Sequence, residues 1–383
     1  MKKKLFIFAV AGLALTSCSS DETVASQATS EANEISFRPL MTGVTRAADQ
    51  TASTLESYGF YVSARTSPDA EFFTDVPFTT FTDGTPKTWT SAKKYYWPGD
   101  NSTLTFYAYA PQATGDGHNA QITAHSSYKS FSVTPSTTIA DQVDLIFAEA
   151  SANKSSGASG VQLNFRHSGS KIIFKLKNNQ STSNLKITVN SVTIGNVKNS
   201  GVFTYTGQTS SKLKQADWDV SAASSATPYT TTVSSETATQ TAINTDAGQV
   251  VGTEMILIPQ VLSVATAYNG SNLYSVEPAT AASTFDGAYI SVELKIQDAT
   301  TNAYIYGDAD NFKTAMWPLT ALTWNPGYKY TYTIDLAGGG YYPVNTVGDS
   351  TLDPILDGAL IKFISVTVDD WADGGAGGVY AGS

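Results

Sequence analysis

The sequence predicts an all-β, extracytoplasmic protein, and three observations support this class. Strand-length segments alternate apolar and polar residues, turn residues separate them, and no segment has helical periodicity longer than a few turns. The 383 residues include 20 Tyr and 17 Phe among abundant Ser, Thr and Asn, a mixture typical of strands and turns. This length allows two ordinary domains and more than one core.

The alternation is clearest in the second half of the chain. Residues 171–177, 185–190, 290–296 and 328–336 place apolar side chains at every second position. A period of two over these lengths is typical of sheets with one buried and one solvated face. Many short strands separated by Gly, Pro and Asn turns indicate antiparallel β-sandwiches.

The first half contains strand candidates at residues 55–64, 103–110 and 144–148. Residues 151–160 are rich in Gly, Ser, Ala and Asn without an apolar pattern, which predicts a linker. Residues 221–249 are rich in Thr, Ser and Ala and predict a long excursion without regular structure.

A short internal repeat supports two similar sandwiches in tandem. The segment from Glu34 to Arg38 reads E-I-S-F-R, and the segment from Gln162 to Arg166, directly after the linker, reads Q-L-N-F-R. We therefore expect an N-terminal domain over residues 47–155, a C-terminal domain over 156–336, and an appendage over 337–383.

The charge balance excludes nucleic acid as a partner. The formal net charge is -10 at pH 7 and the isoelectric point is near 4.8. An acidic chain offers no basic surface to neutralise phosphates.

The first residues predict export. Three lysines precede the apolar run 5–15, which is too short to span a bilayer, so residues 1–17 are interpreted as a removed signal peptide. The run ends in L-T-S-C and resembles the lipobox of bacterial lipoproteins, which implies lipidation of Cys18. The alternative is an ordinary signal peptide with an incidental cysteine. Cys18 is the only cysteine, so no intrachain disulfide can form.

The segment after the first strand candidate presents an arginine to proteases. Residues 34–41 form a short apolar strand candidate, and Arg46 follows in polar sequence. Arg38 and Arg166 lie inside strand candidates, whereas Arg65, at a strand end, is a competing cleavage position. We favour cleavage between Arg46 and Ala47 because it frees a complete strand.

The C-terminal region contains a glycine-hinged strand candidate at residues 359–369. Leu360, Ile364, Val366 and Val368 share one face, with Ile361 and Phe363 on the other. Such a strand either completes its own domain or reaches another molecule.

The sequence contains no pattern that indicates catalysis. His118, His125 and His167 are not spaced as metal ligands and are expected at the surface or at strand edges. The acidic segment 308–311 lacks the spacing of a calcium loop and is interpreted as a turn. No nucleophile motif or assignable pair of carboxylates appears, so we expect no catalytic residue, no metal and no cofactor.

The aromatic cluster Tyr95-Tyr96-Trp97 has two interpretations. It could stack against a sugar, but aromatic residues at strand positions more often pack in the core. The same holds for Trp317 and Trp324.

Several motifs in order resemble the fimbrillins of Bacteroidetes, the subunits of type V pili. Each motif is weak alone, but together they span nearly the whole chain. They are the lipobox at Cys18, I-S-F at residues 35–37 with T-R-A at 45–47, Y-Y-W-P at 95–98 leading to residues 104–111, L-N-F-R-H at 163–167 leading to 171–174, Y-K-Y at 328–330, and V-T-V-D-D-W at 366–371.

The resemblance implies a stalk assembled by strand exchange. Fimbrillins have two transthyretin-like β-sandwich domains, travel to the outer membrane as lipoproteins, and are cut after an arginine by a surface protease. Here it implies a lipidated leader, residues 18–46, whose placeholder strand includes Ile35, Phe37 and Leu40. Cleavage at Arg46 then vacates a groove for the C-terminal strand of a neighbouring subunit.

The implied partners are other copies of this chain, other fimbrial subunits and an Arg-specific surface protease. The implied location is the cell-surface fimbria, with lipid attachment to the outer membrane only before cleavage. An alternative role is a tip, accessory or anchor adhesin that binds host protein or glycan. A third interpretation is a carbohydrate-binding or hydrolytic lipoprotein, which requires an acid pair or an aromatic platform in a cleft.

Overall fold

The computed structural model describes twelve stretches of the chain. They are residues 33–40, 52–112, 121–124, 126–179, 184–207, 212–225, 227–233, 241–243, 247–263, 287–340, 355–356 and 364–371. Strands dominate these stretches, and their one α-helix, α1, spans Ala52–Tyr58. The prediction of an all-β fold built on antiparallel sheets is confirmed.

Eleven of the described strands lie in the first half of the chain. In chain order, β1 to β11 are Phe37–Leu40, Phe60–Thr66, Ala70–Phe78, Thr80–Thr82, Thr88–Thr90, Leu104–Ala110, Ile122–Ala124, Ser130–Val133, Ile146–Ala152, Val161–Asn164 and Arg166–His167. A 3-10 turn at Ile139–Asp141 precedes β9.

Twelve described strands follow. In chain order, β12 to β23 are Ser170–Lys177, Leu185–Gly195, Gly201–Thr204, Trp218–Asp219, Tyr229–Thr232, Thr241–Ile243, Gln249–Leu257, Tyr289–Asp298, Tyr304–Tyr306, Lys313–Pro318, Tyr328–Asp335 and Ser365–Asp370. Further 3-10 turns span Gln215–Asp217 and Leu336–Gly338.

The first half forms a β-sandwich around an aromatic core. One sheet has the order β10-β1-β5-β4 and the other β11-β9-β6-β2-β3. All pairs are antiparallel except β1 with β10, which run parallel. The largest side chains between the sheets are aromatic: Phe37, Phe60, Phe73, Phe78, Trp89, Trp97, Phe106 and Phe165.

The second half forms another sandwich with a more aliphatic core. Its sheets have the orders β18-β12-β22-β23 and β16-β13-β19-β20, with β17 also on β13 and β21 also on β19. The strand pair β12–β22 is parallel. The alternation in residues 171–177, 185–190, 290–296 and 328–336 therefore lies on four strands that line this core: β12, β13, β19 and β22.

A small third sheet, of order β15-β14-β8-β7, joins the two halves. Strands β8 and β14 pair antiparallel, although β8 belongs to the first half of the chain and β14 to the second. The sheet packs against the outer face of the first sandwich through Phe131, Phe147, Phe203, Tyr205 and Trp218. We did not predict it, because strands of two to four residues leave too short a period to recognise.

Three segments differ from the expectations of the sequence. Residues 55–58 belong to helix α1 and not to a strand, since the apolar run 55–64 covers both α1 and β2. The excursion 221–249 contains β16 and β17, which pair with β13. Residues 151–160 include the end of β9 and a turn, and the next strand, β10, pairs with β1 of the first sandwich. The domain boundary at 155/156 stays a prediction.

Candidate functional site

Strand β1 is an interior strand of the first sandwich, with neighbours on both sides. Its Phe37 lies opposite Val161 of β10 and opposite Trp89 of β5. The backbone N–H of Ile35 donates to the carbonyl of Tyr95 at 2.8 Å, on one side. On the other side, the N–H of Val161 donates to the carbonyl of Ser36 at 2.8 Å. The strand therefore completes two hydrogen-bonded ladders at once.

The inward side chains of β1 and the residues before it fill the aromatic core. Ile35 is 1% exposed and Phe37 is 0% exposed. The Phe37 ring meets Phe78 edge to face at 4.7 Å and Phe106 at 5.1 Å between centroids. Leu40 is half-buried, whereas Pro39 is buried. Two of the three predicted placeholder residues thus occupy the core, and Leu40 lies at its rim.

Polar contacts hold this strand at both ends. The Lys94 ammonium pairs with the Glu34 carboxylate at 2.6 Å. The Arg38 Nε donates to the carbonyl of Gly160 at 3.0 Å. Gly160 has a φ of +90°, and a Cβ there would approach Arg38 Cγ to 2.9 Å, so the glycine allows this close contact.

The competing arginines lie within paired strands. Arg65 is in β2, between β3 and β6, where its guanidinium reaches Glu71 at 3.6 Å and lies 4.0 Å from the Tyr128 ring centroid. Arg166 is in β11 and lies opposite Phe147. The predicted cleavage pair Arg46–Ala47 and the predicted lipidation residue Cys18 lie outside the described residues.

Strand β23 is the edge strand of its sheet. It pairs antiparallel with β22 from Ser365 opposite Thr333 to Asp370 opposite Tyr328. Ile364 and Val366 are half-buried against the second core, and Val368 is 46% exposed. The other predicted donor residues, Leu360, Ile361 and Phe363, lie outside the described residues.

A cavity of about 160 Å³ lies beside this strand. Its lining is mostly apolar: Pro318, Leu319, Thr320, Leu322, Tyr332, Ile364 and Val366. Ile364 and Val366, which line this cavity, are half-buried.

The residue after β23 is buried, in contrast to the strand. Trp371 is 3% exposed, and its ring stacks on His167 with centroids 4.1 Å apart and planes 8° apart. His167 Nδ1 lies 2.6 Å from the buried Asp144 carboxylate. His167 was expected at the surface or at a strand edge; it lies on β11, the edge strand of its sheet, but it is buried, with 8% of its surface exposed. Its partners are distant in sequence, so no local signal identified them.

Tyrosines on the outer face of the first sandwich act as structural hydrogen-bond donors. The Tyr205 hydroxyl donates to the Glu149 carboxylate, and the Tyr128 hydroxyl donates to Asp69 at 2.9 Å. Burial, reinforced by these carboxylates, raises the pKa of both phenols above the ordinary value. Such phenols are weak acids that stay protonated near neutral pH.

The described residues contain no metal-binding constellation. No group of three His, Cys, Asp or Glu side chains among them could hold an ion. The Asp308 carboxylate accepts the backbone N–H groups of Asp310 and Asn311, which lowers its pKa and is consistent with the predicted turn. His118 and His125 lie outside the described residues.

The aromatic cluster at residues 95–97 is divided between core and surface. Trp97 is buried against Phe106, and Tyr95 packs on Phe73 with centroids 4.5 Å apart. Only Tyr96 is exposed, at 44%. Trp317 and Trp324 are both buried in the second core. These residues favour the packing interpretation over a sugar-stacking platform.

Within the described part of the chain, no helix has the length and apolar character needed to cross a membrane.

Comparison with one solved structure supports the fold. A fimbrial protein from Bacteroides vulgatus aligns over 88% of this chain and 99% of its own, with 16% identity and a TM-score of 0.52. A candidate cell adhesion protein from Bacteroides ovatus aligns over 88% of this chain and 97% of its own, with 14% identity and a TM-score of 0.46. No curated protein matches.

The sequence also matches a family model described as fimbrillin-like. The match runs from residue 45 to residue 371, which begins just after β1 and ends at Trp371. It covers the joining sheet, the second sandwich, and the first sandwich apart from β1. The chain therefore belongs to the fimbrillin-like family.

Proposed function

We propose that this protein is a fimbrial subunit that polymerises by donor-strand exchange. In this scheme cleavage between Arg46 and Ala47 detaches residues 18–46, and the C-terminal strand of another copy replaces β1. The observation that carries the proposal is the interior position of β1. A strand that is removed from the middle of a sheet leaves a groove, whereas an edge strand leaves none.

The groove would need a new strand for two reasons. Loss of β1 leaves backbone groups of β5 and β10 without partners, and unpaired strand edges recruit other strands. Loss of Ile35 and Phe37 also uncovers the aromatic core. Each of these side chains contributes about 1.5–3 kcal/mol through burial, so an empty groove is a strongly destabilised state.

The C-terminal strand is suited to be the donor because it is weakly held along its length. Among the described strands β23 pairs with β22 alone, and five of its six side chains are exposed, while Val366 is half-buried. The proposed donor residues Leu360, Ile361, Phe363, Ile364, Val366 and Val368 supply more apolar side chains than β1 does. Head-to-tail exchange of this kind does not close on itself and therefore yields a filament.

Arg46 is the favoured cleavage residue among the four arginines. The other three lie in β1, β2 and β11, where the backbone is paired with neighbouring strands. Proteases cut exposed backbone far more readily than paired strands. A cut after Arg65 would also remove part of β2, which lines the core, and would leave no intact acceptor.

The precursor would reach the cell surface as a lipoprotein. Lipidation of Cys18 would tether it to the outer membrane, and cleavage at Arg46 would remove the tether together with β1. The assembled fimbria would then support adhesion and biofilm formation. A structural role of this kind requires no catalytic residue or cofactor.

One alternative is an anchor or tip subunit that keeps β1 and binds a host protein or glycan. The complete packing of Phe37 supports this alternative as well, because the uncleaved chain already has a filled core. N-terminal sequencing of filaments sheared from cells separates the two. A stalk subunit should begin at Ala47, whereas an anchor should retain Cys18 with its lipid.

A further inference from the structure

Trp371 is the one deeply buried side chain at the end of an otherwise weakly buried strand. In β23, Val368 is 46% exposed and Val366 is half-buried, but Trp371 is 3% exposed. Its backbone N–H donates to the carbonyl of Gly327 at 3.0 Å, just before β22 begins. Burial of this segment against its own subunit is therefore greatest at Trp371, the residue that follows the strand.

The site that receives Trp371 is built from both halves of the molecule. His167 belongs to β11 of the first sandwich, and its partner Asp144 precedes β9 of the same sandwich. Lys171 belongs to β12 of the second sandwich, and its ammonium lies 4.7 Å from the centroid of the Trp371 ring. The indole thus lies at the junction of the two sandwiches, with a stacked imidazole and a cation against it.

Docking of the indole buries a hydrogen-bond donor. The Trp371 Nε1–H is buried and has no hydrogen-bond partner within the described residues. A buried donor without a partner destabilises the docked state relative to a solvated one. Stacking and burial therefore stabilise the docked position of Trp371, whereas the loss of the hydrogen bond from Nε1–H to water destabilises it.

We propose that Trp371 is a reversible latch that keeps the C-terminal strand docked on its own subunit until assembly. The latch consists of Trp371 with its receiving residues His167, Lys171 and Gly327. This inference rests on the proposed function for its biological purpose, but the docking itself does not depend on it. Release of Trp371 would leave β23 with the antiparallel ladder to β22, the half-buried side chains of Ile364 and Val366, and an ion pair between Lys212 and Asp370 at 3.2 Å.

Hydrogen exchange of the full, uncleaved chain tests the latch without any assembly step. Trp371→Ala should speed amide exchange in residues 365–370 by about a hundredfold or more. Removal of a buried Trp ring shifts the equilibrium between the docked and the released strand toward release by several factors of ten. Trp371→Phe keeps a ring to stack and removes the unpaired N–H, so exchange should stay within about tenfold of the unmodified chain. Val368→Ala is the matched control on the same strand and should leave exchange unchanged.

Two results would overturn the latch. One is unchanged protection of residues 365–370 in Trp371→Ala. The other is loss of protection throughout β12, β13 and β19 in the same variant, because Trp371 would then belong to the global core. If Trp371→Ala does not fold, Trp371→Phe decides: a rise in exchange of at most about tenfold that is confined to residues 365–370 would support the latch, whereas a rise that extends through β12, β13 and β19 would exclude it.

Assembly kinetics then separate the latch from the proposed function. After cleavage by an Arg-specific protease, Trp371→Ala subunits should form filaments with a shorter lag than the unmodified chain. Faster exchange in residues 365–370 without filaments from any variant would leave the latch standing and contradict donor-strand exchange. Filaments that form at the same rate despite a released strand would show that the latch does not regulate assembly.

Discussion

Phe37 meets Phe78 edge to face, with ring centroids 4.7 Å apart, at the centre of the first sandwich. The family match begins at residue 45, so this contact joins a segment before the matched region to the core of the first matched domain. The same ring lies near Phe60 and Phe106. The stability of the uncleaved chain therefore depends on a strand that the proposed function removes.

Replacing Phe37 should destabilise the uncleaved protein strongly. Phe37→Ala leaves a cavity among three aromatic rings, and large-to-small changes of this kind cost about 3–5 kcal/mol. Urea unfolding of the first sandwich measures the loss. Leu40→Ala, in the same strand at the rim of the core, should cost less than half as much. Equal losses for the two variants would contradict the central position of Phe37.

Limited digestion with an Arg-specific protease should cut the folded chain after Arg46 before any other arginine. The three other arginines lie in paired strands, which resist cleavage. Mass spectrometry should find a product that begins at Ala47. Arg46→Ala should remove this product and block filament assembly, while export continues. Arg65→Lys should leave both the product and filament assembly unchanged. Early cleavage after Arg65 would redirect the proposal to that position.

Removing residues 359–383 should leave a folded monomer that does not polymerise. The deletion removes the proposed donor strand, and of its described residues, 364–371, Trp371 is the one that is buried. Size-exclusion chromatography and electron microscopy measure the two outcomes. The matched control removes only residues 372–383, keeps β23 and Trp371, and should assemble normally. Normal filaments from the longer deletion would exclude residues 359–369 as the donor.

The second sandwich should lose stability at alkaline pH. Burial raises the pKa of Tyr229 to about 12 and raises the pKa of Tyr289, Tyr330 and Tyr332. An unfolded tyrosine releases its proton near pH 10, so between about pH 10 and 12 the unfolded state binds fewer protons than the folded state. Stability is therefore full below pH 10 and falls as the pH rises through this window.

Urea midpoints at pH 8, 9.5 and 10.5, with tyrosinate absorbance as the second readout, measure this effect. Tyr229→Phe removes one titrating group and should flatten the decline between the two higher pH values. An identical slope for both proteins would show that Tyr229 does not contribute to the alkaline loss.

Much of the fold could be predicted because its long strands have a clear period of two. The alternation at residues 171–177, 185–190 and 290–296 places β12, β13 and β19 correctly, and their apolar faces line the second core. The joining sheet could not be predicted, because its strands are short and its pairs, such as Val202 with Ser132, connect distant segments. Helix α1 was not predicted, because it has only about two turns and its apolar residues continue into those of β2.

The sequence by itself determined the all-β class, the strand that contains Phe37, and the family resemblance that the family-model match bears out. These features are local, since they depend on residue order over a few positions. Only the tertiary structure decided that β1 is an interior strand, that Arg65 is paired on both sides, and that His167 is buried beneath Trp371. Each of these depends on contacts between segments far apart in the chain, which no local pattern of side chains specifies.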